Sequence, residues 1–455
     1  MGAITGTNIV TFQFININRM KKALVITFLM AASLMAANNL FAAHGDTAQI
    51  APPKPTPPPA DADNAGLKLP QGFGAMVVAN GLGGARHIAV TKEGDIYVKL
   101  ATLKAGKGIY WLHPGANGKV AATDMKGFGS FAGTGMYVKG GYLYASSDEE
   151  VFRFKLDAQD KVVNGDAPEK IVTGLLSRHE HEAKAITLDN AGNLYVNIGA
   201  YSNACQEQDR KKGSPGMKPC PILDSAGGIW QFKAAGHNQT YGSGARYATG
   251  LRNVVGLDWN TDVNTLFVMQ HGRDQLHDLF PTIWDNKQSA ELPAECMYEI
   301  HKGTNCGWPY IFYDEFQHKK MLAPEYGGDG KKTAGTDAVD PVVAFPGHMA
   351  PNGLLFYKGT MFPEKYRHGA FIAFHGSWNR YPEPQKGYFV VFVPFKNGKP
   401  SGDWEIFADG FSGLTNVAQP NDAKHRPCGL AEGPDGSLYV SDDQGGTIYR
   451  ITYGK

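Results

Sequence analysis

One pattern recurs six times along this 455-residue chain, and it restricts the available folds more than any other feature. An alternating apolar run meets a turn containing Gly or Asn, and a second short strand with an aromatic residue follows. The copies are "HIAVTKEGDIYVKL" (87–100), "GMYVKGGYLYASS" (135–147), "AITLDNAGNLYVNIG" (185–199), "VGLDWNTDVNTLFVMQHG" (255–272), "GLLFYKG" with "GAFIAFHG" (353–376), and "GLAEGPDGSLYVSDD" (429–443). Each reads as a β-hairpin, because period-two alternation gives one buried face and Gly or Asn tolerates the positive φ of a tight turn. Six irregularly spaced copies predict an all-β fold, a six-bladed β-propeller in which each hairpin opens one blade. The 56 Gly, 27 Pro and 11% aromatic residues suit many short strands and tight turns. Extra length around 200–250 and 273–345 is expected as loops between blades, where a rigid scaffold carries function.

The termini and charge narrow the setting. Met20-Lys21-Lys22 followed by the apolar run 23–37 and the small residues Ala42 and Ala43 reads as an export signal, with 1–19 as an upstream extension. The run is shorter than the ~20 residues that span a bilayer, so no stable membrane insertion is expected after cleavage. Residues 1–43 form this leader, 44–66 a Pro-rich disordered tether ("APPKPTPPPADADNAG"), and 67–455 the propeller domain. Of 44 Lys and Arg, three lie in the leader, which contains none of the 43 Asp and Glu. The remainder has no basic excess, which argues against a nucleic-acid partner. Export points to a periplasmic or secreted protein and permits disulfides. The short loops between them suggest Cys205–Cys220 and Cys296–Cys306, leaving Cys428 as a buried thiol. No C-x-x-C-H occurs, so no c-type haem is attached.

In a propeller, residues just before a blade's first strand or just after a strand end converge at one end of the central channel. That filter selects Arg86 and His87, His181, Arg252 and Asn253, His271 and Gly272, His348, His375 and Arg426. Arg86, Arg252 and Arg426 occupy the same place in three blades, and converging guanidiniums suit a small polyanion. The stretch His179-Glu180-His181-Glu182 leaves three readings open. It could chelate a metal if it is a strand, since positions i and i+2 share a face. It could be a base beside an acid, or only a polar turn. Neither H-E-x-x-H nor paired C-x-x-C supports zinc.

Taken in order, these segments resemble the soluble quinoprotein sugar dehydrogenases, the glucose/sorbosone dehydrogenase family of six-bladed propellers carrying pyrroloquinoline quinone (PQQ). The resemblance runs from about Leu69 to the C-terminus. His181 with "EAKAITLDNAGNLYVNIG" resembles the segment that opens with the catalytic histidine, and the interval from His181 to Gly199 fits without a gap. "GLRNVVGLDW" implies Arg252 and Asn253 as cofactor contacts. "QHGR" (270–273) implies that His271 touches the quinone and that Gly272 and Arg273 lend backbone carbonyls to Ca²⁺. "NCGWPY" resembles a structural element, while "GHMAPNGLLFYKG", "FIAFHGSWNR" and "RPCGLAEGPDGSLYVSDD" place His348, His375 and Arg426 near the cofactor, as Arg86 is at its own blade entrance. Glu180 stands where glucose-oxidising members have aspartate, Ala200-Tyr201 replaces an acid that meets the sugar there, and a quinone-facing lysine is replaced near His375. The sorbosone-type branch fits these differences better.

The resemblance implies an enzyme, a PQQ-dependent aldose or L-sorbosone-type dehydrogenase. His181, with Glu180 as electrostatic partner, would take the proton of a sugar hydroxyl or hydrated aldehyde. Arg252 would stabilise developing negative charge, with PQQ and Ca²⁺ as cofactors and electrons leaving to an external cytochrome or quinone. The alternatives are a calcium-dependent propeller lactonase and a non-catalytic propeller binding module. The lactonase would need acids and Asn in the channel, where Arg and His dominate here.

Overall fold

The structure is a computed structural model that describes Gly2 and residues 57–454. The account below concerns the unit Pro57–Lys455. The expected export signal and the first part of the expected tether lie outside the described residues. Among the described residues, no helix is long and apolar enough to cross a membrane.

Six sheets of four or five strands, antiparallel apart from one short parallel outer strand in each five-stranded sheet, account for most of this unit, and each of the six sequence hairpins supplies the first two strands of one blade. Ala85–Val90 and Ile96–Lys104 open blade one, and Met136–Lys139 and Tyr142–Ser146 open blade two. Ile186–Leu188 with Asn193–Ile198, and Val254–Asn260 with Thr265–Gln270, open blades three and four. Pro351–Phe356 with Ala370–Phe374, and Pro427–Glu432 with Leu438–Asp442, open blades five and six. The first strands contact one another in a closed ring around the axis. The chain is therefore a six-bladed β-propeller. Phe73–Ala79, before blade one in sequence, completes blade six by pairing with Ile448–Tyr453 in the register Phe73↔Tyr453 to Val77↔Tyr449. That pairing closes the ring by joining the N-terminal strand to the C-terminal blade.

The core is not one central mass. Alternate strand residues point to opposite faces of a blade, and both faces are covered by neighbouring blades. One apolar cluster consequently sits in each inter-blade space. Tyr97 and Ile109 meet Leu143 between blades one and two, Val172 meets Leu194 between two and three, and Tyr195 meets Leu266 between three and four. Phe267 meets Ile372, Phe371 meets Val440, and Ile448 meets Val98 in the remaining three spaces.

The first strands share a further feature. The pairing register slips at the start of four of them, between Ala85 and Ile88, Val254 and Leu257, Pro351 and Gly353, and Pro427 and Leu430. Such bulges re-aim the flanking side chains. All four lie at the same end of the ring, beside Arg86, Arg252, His348 and Arg426.

Three sequence expectations change here. The long segments lie within blades, as connections from second to third and third to fourth strands in blades three and four, rather than between blades. The stretch read as tether is ordered from Asp61, whose amide donates to Ala75 O at 2.9 Å and whose carboxylate accepts from Val77 N at 2.9 Å and Lys119 Nζ at 2.7 Å. The cause is an outer strand whose free edge N–H groups capture the carboxylate. Cys205 and Cys220 are disulfide-bonded as expected, but Cys296 and Cys306 are free. Both are buried in the cluster between blades three and four, where burial pushes each thiol up and favours the neutral form.

Candidate active site

The HEH stretch is a turn, not a strand. His179 and His181 both have left-handed backbones, with φ of 62° and 52°. The two side chains therefore do not share a face: that of His179 is fully exposed at 101%, that of His181 only 13%. Metal chelation by the pair is excluded by this geometry, and the described residues include no group of three His, Cys, Asp or Glu able to hold a metal.

His181 is locked from behind. Its Nδ1 meets the carbonyl of Ala200, whose own amide donates to Arg252 O at 2.7 Å. A carbonyl only accepts, so Nδ1 carries the proton and Nε2 keeps its lone pair. Gly199 makes the approach possible, since a Cβ there would lie 2.5 Å from His181 O and 2.6 Å from His181 Cβ. Burial, then the charge of Arg252, holds the imidazole well below its ordinary range, so it is neutral at pH 7. The expected electrostatic partner is differently engaged. Glu180 Oε1 lies 3.9 Å from His181 Nε2 but accepts from Arg210 Nη2 at 2.7 Å, so its charge is directed to a guanidinium.

His181 opens onto a cavity of about 160 Å³, lined also by Arg210, Arg252, His271, Gly272, Asp274, Glu295, His348, Trp378 and Asn379. Asp274 organises it. Its Oδ2 accepts from Arg252 Nη2 at 2.7 Å and Arg210 Nη2 at 3.1 Å, and its Oδ1 accepts from Asn379 Nδ2 at 2.8 Å. Burial opposes its ionisation, but Arg252, His348 and Arg210 together hold it well below the usual carboxylate range. Arg252 also donates to Asn203 O at 3.2 Å and Gly272 O at 2.8 Å. Three of the five guanidinium N–H groups are thus engaged by protein, and two remain. His348 Nε2 donates to Ser289 O at 2.8 Å and Leu292 O at 2.9 Å, and its Nδ1 lies 3.2 Å from Asn379 Nδ2 and 3.8 Å from Asp274 Oδ1. Glu295 is buried, receives Gly272 N at 3.1 Å, and is pushed up to about 7 by burial.

A second group of expected residues lies across the ring. Asp443 takes Arg86 Nη1 at 2.7 Å and His375 Nε2 at 2.6 Å. Arg426 donates to the carbonyls of His375 and Gly376 at 3.1 and 2.6 Å and lies over Tyr388, with no carboxylate partner. His271 is the electrostatic link: burial, then Arg252, lowers it to about 3, and His375 and Arg86 also act on it. His87 Nε2 contacts Asn352 O at 2.9 Å. Asn253 is buried behind the cavity, accepting from Asn197 Nδ2 at 3.4 Å, while its carbonyl takes His271 N at 3.0 Å. Arg273 turns its side chain away, to Glu325 at 2.5 Å.

Sequence reasoning missed Asp274, Glu295, Arg210 and Asn379. Asp274 directly follows "QHGR", and Glu295 opens the third strand of blade four, so an acid in or beside a buried segment was the available signal. Arg210 and Asn379 lie in loops whose path no local pattern reveals.

Comparison with known proteins adds the lineage. A family model described as TrAA12-like matches residues 67–454. The chain belongs to that family. This TrAA12-like chain is 24% identical over 425 residues to a pyrroloquinoline quinone-dependent pyranose dehydrogenase of Coprinopsis cinerea, covering 85% of the chain and 54% of that enzyme. It therefore spans about half of that relative's length. The holo PQQ domain of the C. cinerea pyranose dehydrogenase superposes with a TM-score of 0.66 at 21% identity, covering 85% of this chain and 97% of that one. A calcium structure of a Trichoderma reesei carbohydrate-active enzyme of family AA12 gives 0.68 at 21%, with coverage of 85% and 97%. The resemblance to quinoprotein sugar dehydrogenases drawn from the motifs agrees with this family, and these structures share the propeller fold.

Proposed function

We propose that the protein is an exported sugar dehydrogenase that oxidises a pyranose, sorbosone or related aldehyde with PQQ as cofactor and Ca²⁺ assistance. The observation that carries this reading is the single tautomer of His181, a neutral imidazole presenting Nε2 to a cavity walled by Arg252. Such a base takes a hydroxyl proton from a sugar carbon as that carbon loses hydride. The two spare N–H groups of Arg252 face charge that develops as the C–O bond becomes a carbonyl. Asp274 and Gly272 hold that guanidinium in place, and Arg210 keeps Glu180 from competing for it.

The residues fit the cofactor. PQQ carries three carboxylates, and the half-buried Arg426, which forms no ion pair among the described residues, is available to one of them, with Arg86 and Arg252 as further guanidiniums. Bound PQQ supplies a two-electron acceptor for the hydride, chemistry no side chain offers. Gly272 and Arg273 would offer backbone carbonyl oxygens to a hard cation, although Gly272 O already accepts from Arg252 at 2.8 Å and would share or exchange that contact. Export and transfer of electrons to an external cytochrome or quinone are supported by the leader sequence and by the Cys205–Cys220 disulfide, a bond of oxidising compartments.

Titrating apo-protein with PQQ and Ca²⁺, followed by dye-linked assays over aldoses and sorbosone, tests the proposal. Saturable PQQ binding and dye reduction with at least one sugar are expected. Failure to bind PQQ would sink it.

A further inference from the structure

The loop joining the second and third strands of blade five runs over the cavity mouth and is pinned along its length. Ser377 N donates to Lys386 O at 2.8 Å, and Ser377 Oγ donates to Gln385 Oε1 at 2.7 Å. Tyr388 OH donates to Ser377 O at 2.8 Å. Asn379 reaches Asp274, and the guanidinium of the fully buried Arg380 donates to Glu291 Oε1 at 2.6 Å and to Pro384 O at 3.0 Å. Gln385 N donates to Val417 O at 2.9 Å, tying the loop to its neighbour.

Two large aromatic residues of this fastened segment face outward. Trp378 is 57% exposed and Tyr381 80% exposed. All seven tryptophans lie among the described residues, and Trp378 is the one that is exposed. It lines the cavity that contains His181. Folding gains nothing from leaving these rings in water, and neither has a core to pack against. Large aromatics held outward on a rigid loop beside a polar cavity mark a ligand contact, because ring face and rim then cost little entropy to order on binding.

We propose that Trp378 and Tyr381 form a stacking platform for a second sugar ring, so that the enzyme takes the end of a β-linked oligosaccharide. This rests on the sugar dehydrogenase reading for which ring enters the cavity. A β-linked pyranose with equatorial substituents presents a flat face of axial C–H bonds, the apolar surface an indole or phenol face accepts. Trp378 lines the cavity, and Tyr381, three residues on in the same fastened loop, is the more exposed of the two. The aromatic side chains that project from the loop are uncharged, and its exposed Lys386 is already paired with Glu291 at 2.5 Å, which favours a neutral glycan over an anionic ligand.

The test is calorimetric titration of the holo-protein with two matched pairs, glucose with cellobiose and xylose with xylobiose, beside dye-linked kinetics. In at least one pair the dimer should bind about tenfold more tightly than its monomer, a factor typical of one aromatic contact. Tyr381→Ala should erode that preference while leaving monomer turnover, PQQ content and melting temperature unchanged, since its ring is exposed and lies outside the cavity lining. Trp378→Ala, at the cavity wall, should weaken the dimer more than the monomer, so that the ratio of the two affinities falls toward one. Equal affinity for monomer and dimer in both pairs, or a preference that survives Trp378→Ala, overturns the platform. So does a variant that loses turnover only with a cytochrome acceptor, which would make the loop an acceptor contact. If the dimer preference is present but no sugar is oxidised, the platform stands and the dehydrogenase reading falls. Oxidation of monomers without any preference has the opposite meaning.

Discussion

Asp274 Oδ2 accepts from Arg252 Nη2 at 2.7 Å inside a cavity wall where both side chains are more than nine-tenths buried. This pair joins the loop after the second strand of blade four to the entrance of the same blade, and it sets the direction in which the guanidinium points. A buried pair of this kind is a weak source of net stability, but it is costly to break on one side.

Asp274→Ala should leave a buried guanidinium without its carboxylate and lower stability by about 3–5 kcal/mol. Turnover should fall by about a hundredfold, the scale of a misplaced catalytic group. Asp274→Asn keeps the shape and one acceptor and should lose less of both. Thermal melts with steady-state kinetics on the three proteins check this. Wild-type turnover in Asp274→Ala would remove the pair from the site.

A base must be unprotonated to act, so kcat/KM should fall as pH drops through the His181 pKa. That pKa is lowered by burial and by Arg252, which places the acid limb below pH 6.5. His181→Ala should bind PQQ and lose about 10²–10⁴-fold in turnover, together with the limb. Arg210→Gln frees Glu180, 3.9 Å from Nε2, and should move the limb upward by about one unit. A pH–rate profile unchanged in both variants would take His181 out of the mechanism.

Glu295 is pushed up to about 7 from an ordinary 4.5. Between those values the folded protein binds a proton that the unfolded chain releases, so this group costs stability as pH rises toward 7. Glu295→Gln should match wild type near pH 4.5 and gain relative to it above pH 7, by at most about 3 kcal/mol. Urea unfolding at pH 5 and pH 8 measures the difference. The same offset at both pH values would mean that burial is not acting on this carboxyl.

The Cys205–Cys220 bond spans 15 residues of sequence in a loop beside the cavity. Cys205→Ser with Cys220→Ser should cost about 3 kcal/mol through the freed loop. Cys296, Cys306 and Cys428 are buried thiols, so alkylation read by mass should label three sites only after unfolding. Rapid labelling of the native protein would contradict their placement.

The legible part of the site was the part written into the repeat. Arg252, His271, Gly272, His348 and His181 sit at strand entrances and exits, and the register slips that aim them recur with the blades. Glu180 lies 3.9 Å from His181, the partner expected from sequence, but makes its closer contact elsewhere. Its neighbour along the chain is His181, yet the charge it meets is Arg210, thirty residues away across a disulfide-bonded loop. Cys296 and Cys306 illustrate the same limit, because closeness in sequence and burial in one cluster did not produce a bond.

What the sequence determined by itself is local and periodic. Side-chain alternation needs only the two-residue repeat of a strand, and a Gly or Asn turn needs only its own φ, so six hairpins and the end of the ring they point to could be read from neighbours in the chain. Tertiary structure decided which charges meet. Arg252 with Asp274, Arg86 with Asp443, and Trp378 left facing water depend on how six separately formed sheets close into one ring, where groups tens to hundreds of residues apart come within 3 Å. Electrostatic partnership falls off with distance through space and not along the chain, and no pattern in the sequence encodes that distance.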